Sequence, residues 1–500
     1  MEDKFKKLNR LLEEILDLNN AAALLAWDQQ VNMPPGGAAD RGAQLATLNS
    51  LAHIKFTSEE IGQLLEALGP YAAELDPDSD TARLIQVTER DYKLATHVPP
   101  DHVARRARLL TAARQSWVEA RRETNFSIFQ PYLQEIMGLN QEYVSFFAPY
   151  EHVYDPLLDQ FEPGMKTREV KKIFETLRPQ QVTLLQTLKE FPQVDDRFLH
   201  QPFEPDKQWA FGEKVIDKFG YDWDRGRQDL SPHPFTTSFG LGDVRITTRI
   251  QENFFNPAFF ATLHECGHAL YNQGFSPEIA RTRLARGASL AIHESQSRMW
   301  ENLVGRSRPF WETFYADLQH TFPTQLGDVD FERFFKGINK VEPSLIRVEA
   351  DEATYNLHIM LRLELEIALM EGTLAVKDLP EAWNQGMQDY LGLTPPDDGV
   401  GVLQDIHWSE GLMGYFSTYA LGNLISLQLW ERINKDIPDL PAHIRQGNFV
   451  PLLEWVREHI HRHGAKYKPQ ELVERVTGAR ITPEPYIRYL NEKYAEIYNL

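Results

Sequence analysis

Apolar positions recur along most of this chain at three- and four-residue spacing, the period of a helix face packed on a core. Phe5 to about Leu25 carries the pattern, and Trp27-Asp28 through Met33-Pro34-Pro35-Gly36-Gly37 breaks it, predicting a loop. Helices are predicted next from Ala38 to His53 and at Ser58–Leu68, Asp80–Ala95, Pro100–Thr124, Ser127–Phe147, Thr167–Phe191 and Lys207–Phe219. The period changes once. Thr236–Phe239 and Asp243–Ile250 read as two short strands around Gly240-Leu241-Gly242. The helical period then returns at Asn256–Gly274, Ser289–Val304, Phe331–Ile338, Val341–Met370, Leu412–Ile433, Leu452–His461, Gln470–Thr477 and Pro483–Tyr498. Pro395-Pro396-Asp397-Asp398-Gly399 is a turn and not a linker, because aromatic-rich sequence resumes at once. Length alone would allow about three domains. With no repeat or flexible linker, the expectation is a single domain over 1–500, all-α, with two lobes around a groove and one small β-ribbon.

Charge narrows the classes of partner. The formal balance is −20, from 72 acidic against 52 basic residues, and there is no basic stripe with interleaved aromatics, which argues against nucleic acid. The acidity is read as solubility. Arg105-Arg106, Arg108, Arg114 and Arg121-Arg122 read as a solvated face paired with nearby acids and not as an anion site. Cys266 is the one cysteine, so no intrachain disulfide forms. The first residues alternate charge with leucine and lack the apolar core of a signal peptide. No apolar run reaches the roughly 18 residues that span a bilayer. A cytoplasmic protein without membrane partners is expected.

The chemistry concentrates in Asn256–Gly274. Asn256 is a candidate N-cap, Pro257 suits the first helical position, and Gly274 suits a stop. Inside lies His264-Glu265-Cys266-Gly267-His268, an HExxH pattern with two histidines one turn apart on one face. That spacing lets two imidazoles bind one Zn2+ while Glu265 works on metal-bound water; the bland alternative is a buried helix whose histidines only hydrogen-bond. A catalytic zinc needs a third protein ligand and an open position. Glu294, in His293-Glu294-Ser295-Gln296, sits in a helix that otherwise reads as core, where a carboxylate needs a partner. His293 competes with it, but projects about 100° away on a helix, so one of the two faces the site. With His264, His268 and Glu294 as ligands and Glu265 as base, amide hydrolysis is the natural reaction.

At this point the sequence resembles the carboxypeptidase Taq family of thermostable metallocarboxypeptidases. HECGH, HESQ, Asp243-Val244-Arg245-Ile246-Thr247, Ile346-Arg347-Val348-Glu349-Ala350-Asp351 and Gly401-Val402-Leu403-Gln404-Asp405-Ile406-His407-Trp408 appear in the family's order. The likeness extends from Trp27-Asp28 and Met33-Pro34 to Glu458–Gly464 and Pro485-Tyr486. It implies zinc-dependent release of single residues from free peptide C-termini, broad in side chain but poor with C-terminal proline. It also implies an all-helical fold with a deep groove, unfolded peptides as substrates, a homodimer, and Co2+ as a possible substitute metal. By motif position, His264, His268 and Glu294 carry over as ligands and Glu265 as general base.

The other roles rest on chemistry and weaker likeness. A terminal carboxylate fits an arginine fork, and Arg347 is favoured over Arg245 as its anchor. Arg347 could instead pair with Asp351 at i+4, or Asp351 could orient a ligand histidine. The His407–Tyr419 spacing is similar to that of the helical zinc oligopeptidases, which assigns both to transition-state stabilisation with Tyr415 as alternate. Gln404 and Gln296 are candidates to hold substrate backbone. His459, His461 and His463 read as cations favoured at a helix end and not as a second metal cluster. Cys266 faces away from the histidines as a small core residue. The rivals are an endo-oligopeptidase or dipeptidyl carboxypeptidase on the same scaffold and a silent peptide-binding scaffold. An aminopeptidase is disfavoured, because no Gly-x-Met-Glu-Asn stretch occurs.

Overall fold

The computed structural model describes all residues, Met1–Leu500. It is 69% helical with one three-stranded sheet, as the period predicts. The sheet runs β1 (Gly226–Leu230), β3 (Val244–Thr248), β2 (Thr236–Ser238), with β1 parallel and β2 antiparallel to β3. The ribbon expected from the glycine turn is β2 and β3. β1 was not predicted, because its Gly-Arg-Gln-Asp-Leu has no apolar alternation and buries only Gln228.

Several boundaries move, each for a local reason. The first helix runs Glu2–Val31 and includes Trp27 and Asp28, so the loop starts only at Asn32. The histidine helix is Phe255–Gln273, with Phe254 as an N-cap that makes no side-chain bond. Asn256 is therefore inside the first turn and is not the cap; Gly274 does end the helix. The stretch Val341–Met370 is not one helix. A short turn at Arg347–Glu349 precedes a helix over Tyr355–Glu371, because the Asp351 carboxylate accepts from the N–H groups of Glu342, Ala353 and Thr354 and fixes a coil there. Helices Arg308–Thr321 and Leu379–Leu391 add to the predicted set. The buried helix near the end begins at Ser417, not Leu412, and runs to Asp436.

Two cores hold these elements. One apolar cluster of 106 buried residues extends from Leu84 to Tyr498 around Trp300, Trp311 and Trp383. A second, of 11, lies among the first four helices, from Leu8 to Ile85. Phe5 packs against both.

Two glycines bring the site's helices together. A Cβ on Gly267 would lie 2.6 Å from Ser297 Cα and 2.8 Å from the Gln296 carbonyl oxygen, so the histidine helix can press on Leu290–Arg298 only with glycine there. On the other side of Leu290–Arg298, a Cβ on Gly422 would lie 2.6 Å from both Cβ and Cγ of Glu294. Glu294 is thus wedged between the histidine helix and Ser417–Asp436.

Candidate active site

His264 and His268 lie one turn apart and turn their Nε2 atoms to the same point, each 3.6 Å from Glu294 Oε2. The three ligand atoms all lie within 4.8 Å of one another. Glu294 comes from Leu290–Arg298, whose first turn is closed by the Ser289 hydroxyl accepting from Ile292 N at 3.1 Å. The helical period then places Glu294, Arg298 and Glu301 on one face. Arg298 bridges the two carboxylates, donating to Glu294 Oε1 at 2.7 Å and to Glu301 Oε2 at 3.2 Å. Glu294 Oε2 is left turned to the histidines.

Each histidine is held from behind. His264 Nδ1–H donates to Glu301 Oε2 at 2.9 Å. His268 Nδ1 meets His293 Nδ1 at 2.6 Å, and His293 Nε2 meets Asn272 Oδ1 at 3.1 Å. His293 therefore sits behind His268 and not at the point where the ligand atoms converge. The histidine-orienting carboxylate is Glu301, whereas Asp351, the sequence candidate for that task, is the coil cap described above. Glu301 was legible: it lies two turns beyond Glu294. Burial would raise its carboxyl, but Arg298, the bond to His264, and Arg306 hold it down at about 2. Burial would lower His264, yet Glu294 and Glu301 turn that shift upward, so this corner draws positive charge.

Glu265 is buried beside the convergence point. The Thr236 hydroxyl, on β2, lies 2.7 Å from its Oε2 and 2.9 Å from its main-chain oxygen. Burial raises its carboxyl above the ordinary value, and His264 and Thr236 only partly offset that. Thr236 is not legible as a partner in the sequence, because the contact joins strand to helix.

A second wall carries His407, Tyr415 and Tyr419. Tyr419 lies one turn before Gly422, on the face that meets Glu294. Its hydroxyl is 3.4 Å from His407 Nε2, and its ring meets Tyr415 edge-on at 5.3 Å. Burial pushes His407 down to about 4 and raises both phenols, so all three are neutral at pH 7. Arg347 is buried behind them, in the short 3₁₀ turn Arg347–Glu349 and not on the long helix, and its partner is not Asp351. It donates to Asp405 Oδ1 at 2.8 Å and to the Tyr355 hydroxyl at 2.8 Å. Arg362 grips the other oxygen of Asp405, leaving two guanidiniums on one carboxylate. Arg298, over the Tyr355 ring at 4.5 Å, joins this wall to the metal corner.

The remaining candidates are held by contacts within the protein. Arg245 pairs with Asp243 at 2.8 Å and lies between Trp27 (4.4 Å) and Phe239 (5.0 Å). Gln404 accepts from Arg347 N at 2.9 Å and donates to the Leu345 and Val400 carbonyls. Gln296 receives His461 Nε2 at 2.9 Å. His461 is fully buried and its imidazole is held well below its usual range, so it is not a helix-end cation. Cys266 is buried and free, as expected.

A helical body presenting two histidines and a glutamate to one point, with a buried glutamate beside them, has the make-up of a metal-dependent peptidase. The family model for carboxypeptidase Taq (M32) metallopeptidase matches residues 7–494. The chain belongs to this family, and it is a metallocarboxypeptidase. It is 42% identical to thermostable carboxypeptidase 1 of Thermus thermophilus over 99% of each chain. It is 37% identical to carboxypeptidase 1 of Bacillus subtilis, again over 99% of each. The crystal structure of the M32 carboxypeptidase from Deinococcus radiodurans superposes with a TM-score of 0.97 at 40% identity, covering 100% of both chains. No helix is long and apolar enough to cross a membrane.

Proposed function

We propose that this enzyme is a zinc carboxypeptidase that releases single residues from the free C-terminus of unfolded peptides, broad in side chain but poor with C-terminal proline. The observation that carries the metal is the donor set. The bond of His264 Nδ1–H to a carboxylate leaves its Nε2 lone pair facing Glu294 Oε2, so three acceptor atoms converge, and the one hydroxyl near Oε2, that of Ser297 at 3.4 Å, is bonded more closely to the Glu294 main-chain oxygen at 2.8 Å. Two imidazoles and a carboxylate suit zinc, with Co2+ as a substitute. Zinc held there would supply an activated water and polarise the scissile carbonyl.

The chain's own residues do the rest. Glu265, buried and with its proton affinity raised, takes the proton at its carboxylate and delivers it to the leaving amine. Tyr419 and His407, both neutral, donate to the oxygen on which charge develops, with Tyr415 as alternate donor. Arg347 anchors the terminal carboxylate. Asp405 cannot neutralise both Arg347 and Arg362, and the surplus positive charge on this wall matches the anion of a peptide end. Edge strand β2, bonded to Glu265 through Thr236, is suited to hold extended substrate backbone. Gln404 acts through the backbone it braces beside Arg347, and Arg245 through its pair with Asp243 next to β2. The family resemblance supports a homodimer, and the composition supports a cytoplasmic setting.

The test is a mass-spectrometric time course on one unstructured peptide, with free and amidated C-terminus, using apo enzyme and enzyme refilled with Zn2+ or Co2+. A metal-dependent one-residue ladder from the free end alone is expected. Internal or dipeptide cuts on both peptides would move the reading to an oligopeptidase.

A further inference from the structure

The two histidines of the metal corner are backed unequally. His264 leans on the carboxylate of Glu301, with Arg298 and Arg306 on its far side. His268 leans on another imidazole, His293, which leans in turn on the side-chain oxygen of Asn272. We infer that His293 and Asn272 form a neutral relay that fixes the tautomer of His268 and sets how strongly it holds the metal. The inference rests on the metal reading above.

With Asn272 presenting its Oδ1 to His293, the chain of contacts assigns each hydrogen in turn. Asn272 Oδ1 only accepts, so His293 Nε2 carries the hydrogen and donates to it. A neutral His293 then offers a lone pair at Nδ1, and His268 must present Nδ1–H to it at 2.6 Å. The Nε2 lone pair of His268 is left facing Glu294 Oε2. Were His268 to hold its hydrogen on Nε2 instead, two Nδ1 lone pairs would oppose each other at hydrogen-bond distance, a repulsive arrangement. His293 cannot turn away from this duty. Tyr271 meets its ring edge-on at 5.1 Å, and a Cβ on Gly287 would lie 3.0 Å from its Cδ2.

The two backings have different consequences. A carboxylate behind a ligand histidine raises its basicity, whereas a neutral ring orients it without adding charge. Four carboxylates would otherwise crowd this corner, because Glu265, Glu294 and Glu301 already share it. The neutral relay gives His268 its orientation while leaving the corner's charge unchanged. His293 and Asn272 are positioning residues: they act on the metal through His268.

The experiment measures the Zn2+ dissociation constant by competition with a chromophoric chelator, on full-length enzyme stripped of metal. His293→Leu, which removes the acceptor, is expected to weaken binding about 10–100-fold. His293→Gln, whose Oε1 can accept from His268 Nδ1–H, is expected to stay within about threefold of the parent. Asn272→Asp places a carboxylate at the end of the relay and is expected to tighten binding about three- to tenfold. Melting of each apo variant reports whether it folds, and the Gln and Asp variants decide the matter if the Leu variant does not. His293→Leu folded with unchanged affinity, Asn272→Asp with unchanged or weaker affinity, or His293→Gln as weak as His293→Leu overturns the relay. His264→Ala is the control: unchanged affinity in that variant would overturn the metal reading itself.

Discussion

The metal corner and the His407–Tyr419 wall have opposite chemistry. At the corner, acceptors converge: two imidazole lone pairs and one carboxylate oxygen, each histidine 3.6 Å from Glu294 Oε2. On the wall, donors converge: two guanidiniums, two phenols and an imidazole, with Asp405 as the acceptor the arginines share. One side is short of a cation and the other of an anion. On the proposed reading a metal ion and a peptide carboxylate are the complements, and the contrast teaches how neighbouring walls can be built for opposite charges.

The contrast can be broken from either side. His264→Ala removes one acceptor and has the largest expected effect, loss of bound metal and turnover to background with the fold retained. Metal analysis after gel filtration, beside a circular dichroism spectrum, checks it. Glu265→Gln keeps the acceptor set intact. It is expected to bind metal normally while kcat falls on the order of 10²–10⁴-fold, and near-normal kcat would sink its assignment as base. Asp405→Asn attacks the wall by leaving two buried guanidiniums without their carboxylate. Denaturant unfolding should show a loss of about 3–5 kcal/mol. The smallest effect is expected from Gly422→Ala, whose new methyl presses on the Glu294 side chain. An overpacking cost of about 1–3 kcal/mol in apo stability is expected, with weaker metal binding as the sharper readout.

The same two regions explain what the sequence could disclose. His264, Glu265 and His268 are set by helical spacing within one element, and local period is what a sequence displays most openly. Glu294 was found because a carboxylate in a core helix needs a partner, and Glu301 was within reach of the same rule two turns on. The wall is different. Arg347, Asp405 and Arg362 meet only through long-range packing, so the alternative Arg347–Asp351 pairing names the wrong partner, on a long helix that is interrupted there. The Asp351 cap, which breaks that helix, depends on N–H groups up to nine residues away and leaves the apolar period apparently unbroken. Thr236 stayed hidden for a similar reason. Its duty is set by a strand lying beside a helix, not by its neighbours in the chain. β1 escaped notice because a polar edge strand has no apolar alternation to read.

Cys266 carries a practical consequence. It is the only thiol in the chain, it is buried, and burial holds it well above the ordinary thiol range, so almost none of it exists as the reactive thiolate. The native protein is therefore expected to stay silent toward maleimide and iodoacetamide reagents, which a mass measurement after labelling checks. A cysteine introduced at exposed Ser50, on the helix after the first loop, and another at exposed Glu458, on the main body, would take up fluorophores with no background from the parent chain. Distances between the small N-terminal core and the large one can thus be followed during peptide turnover without first removing a native residue.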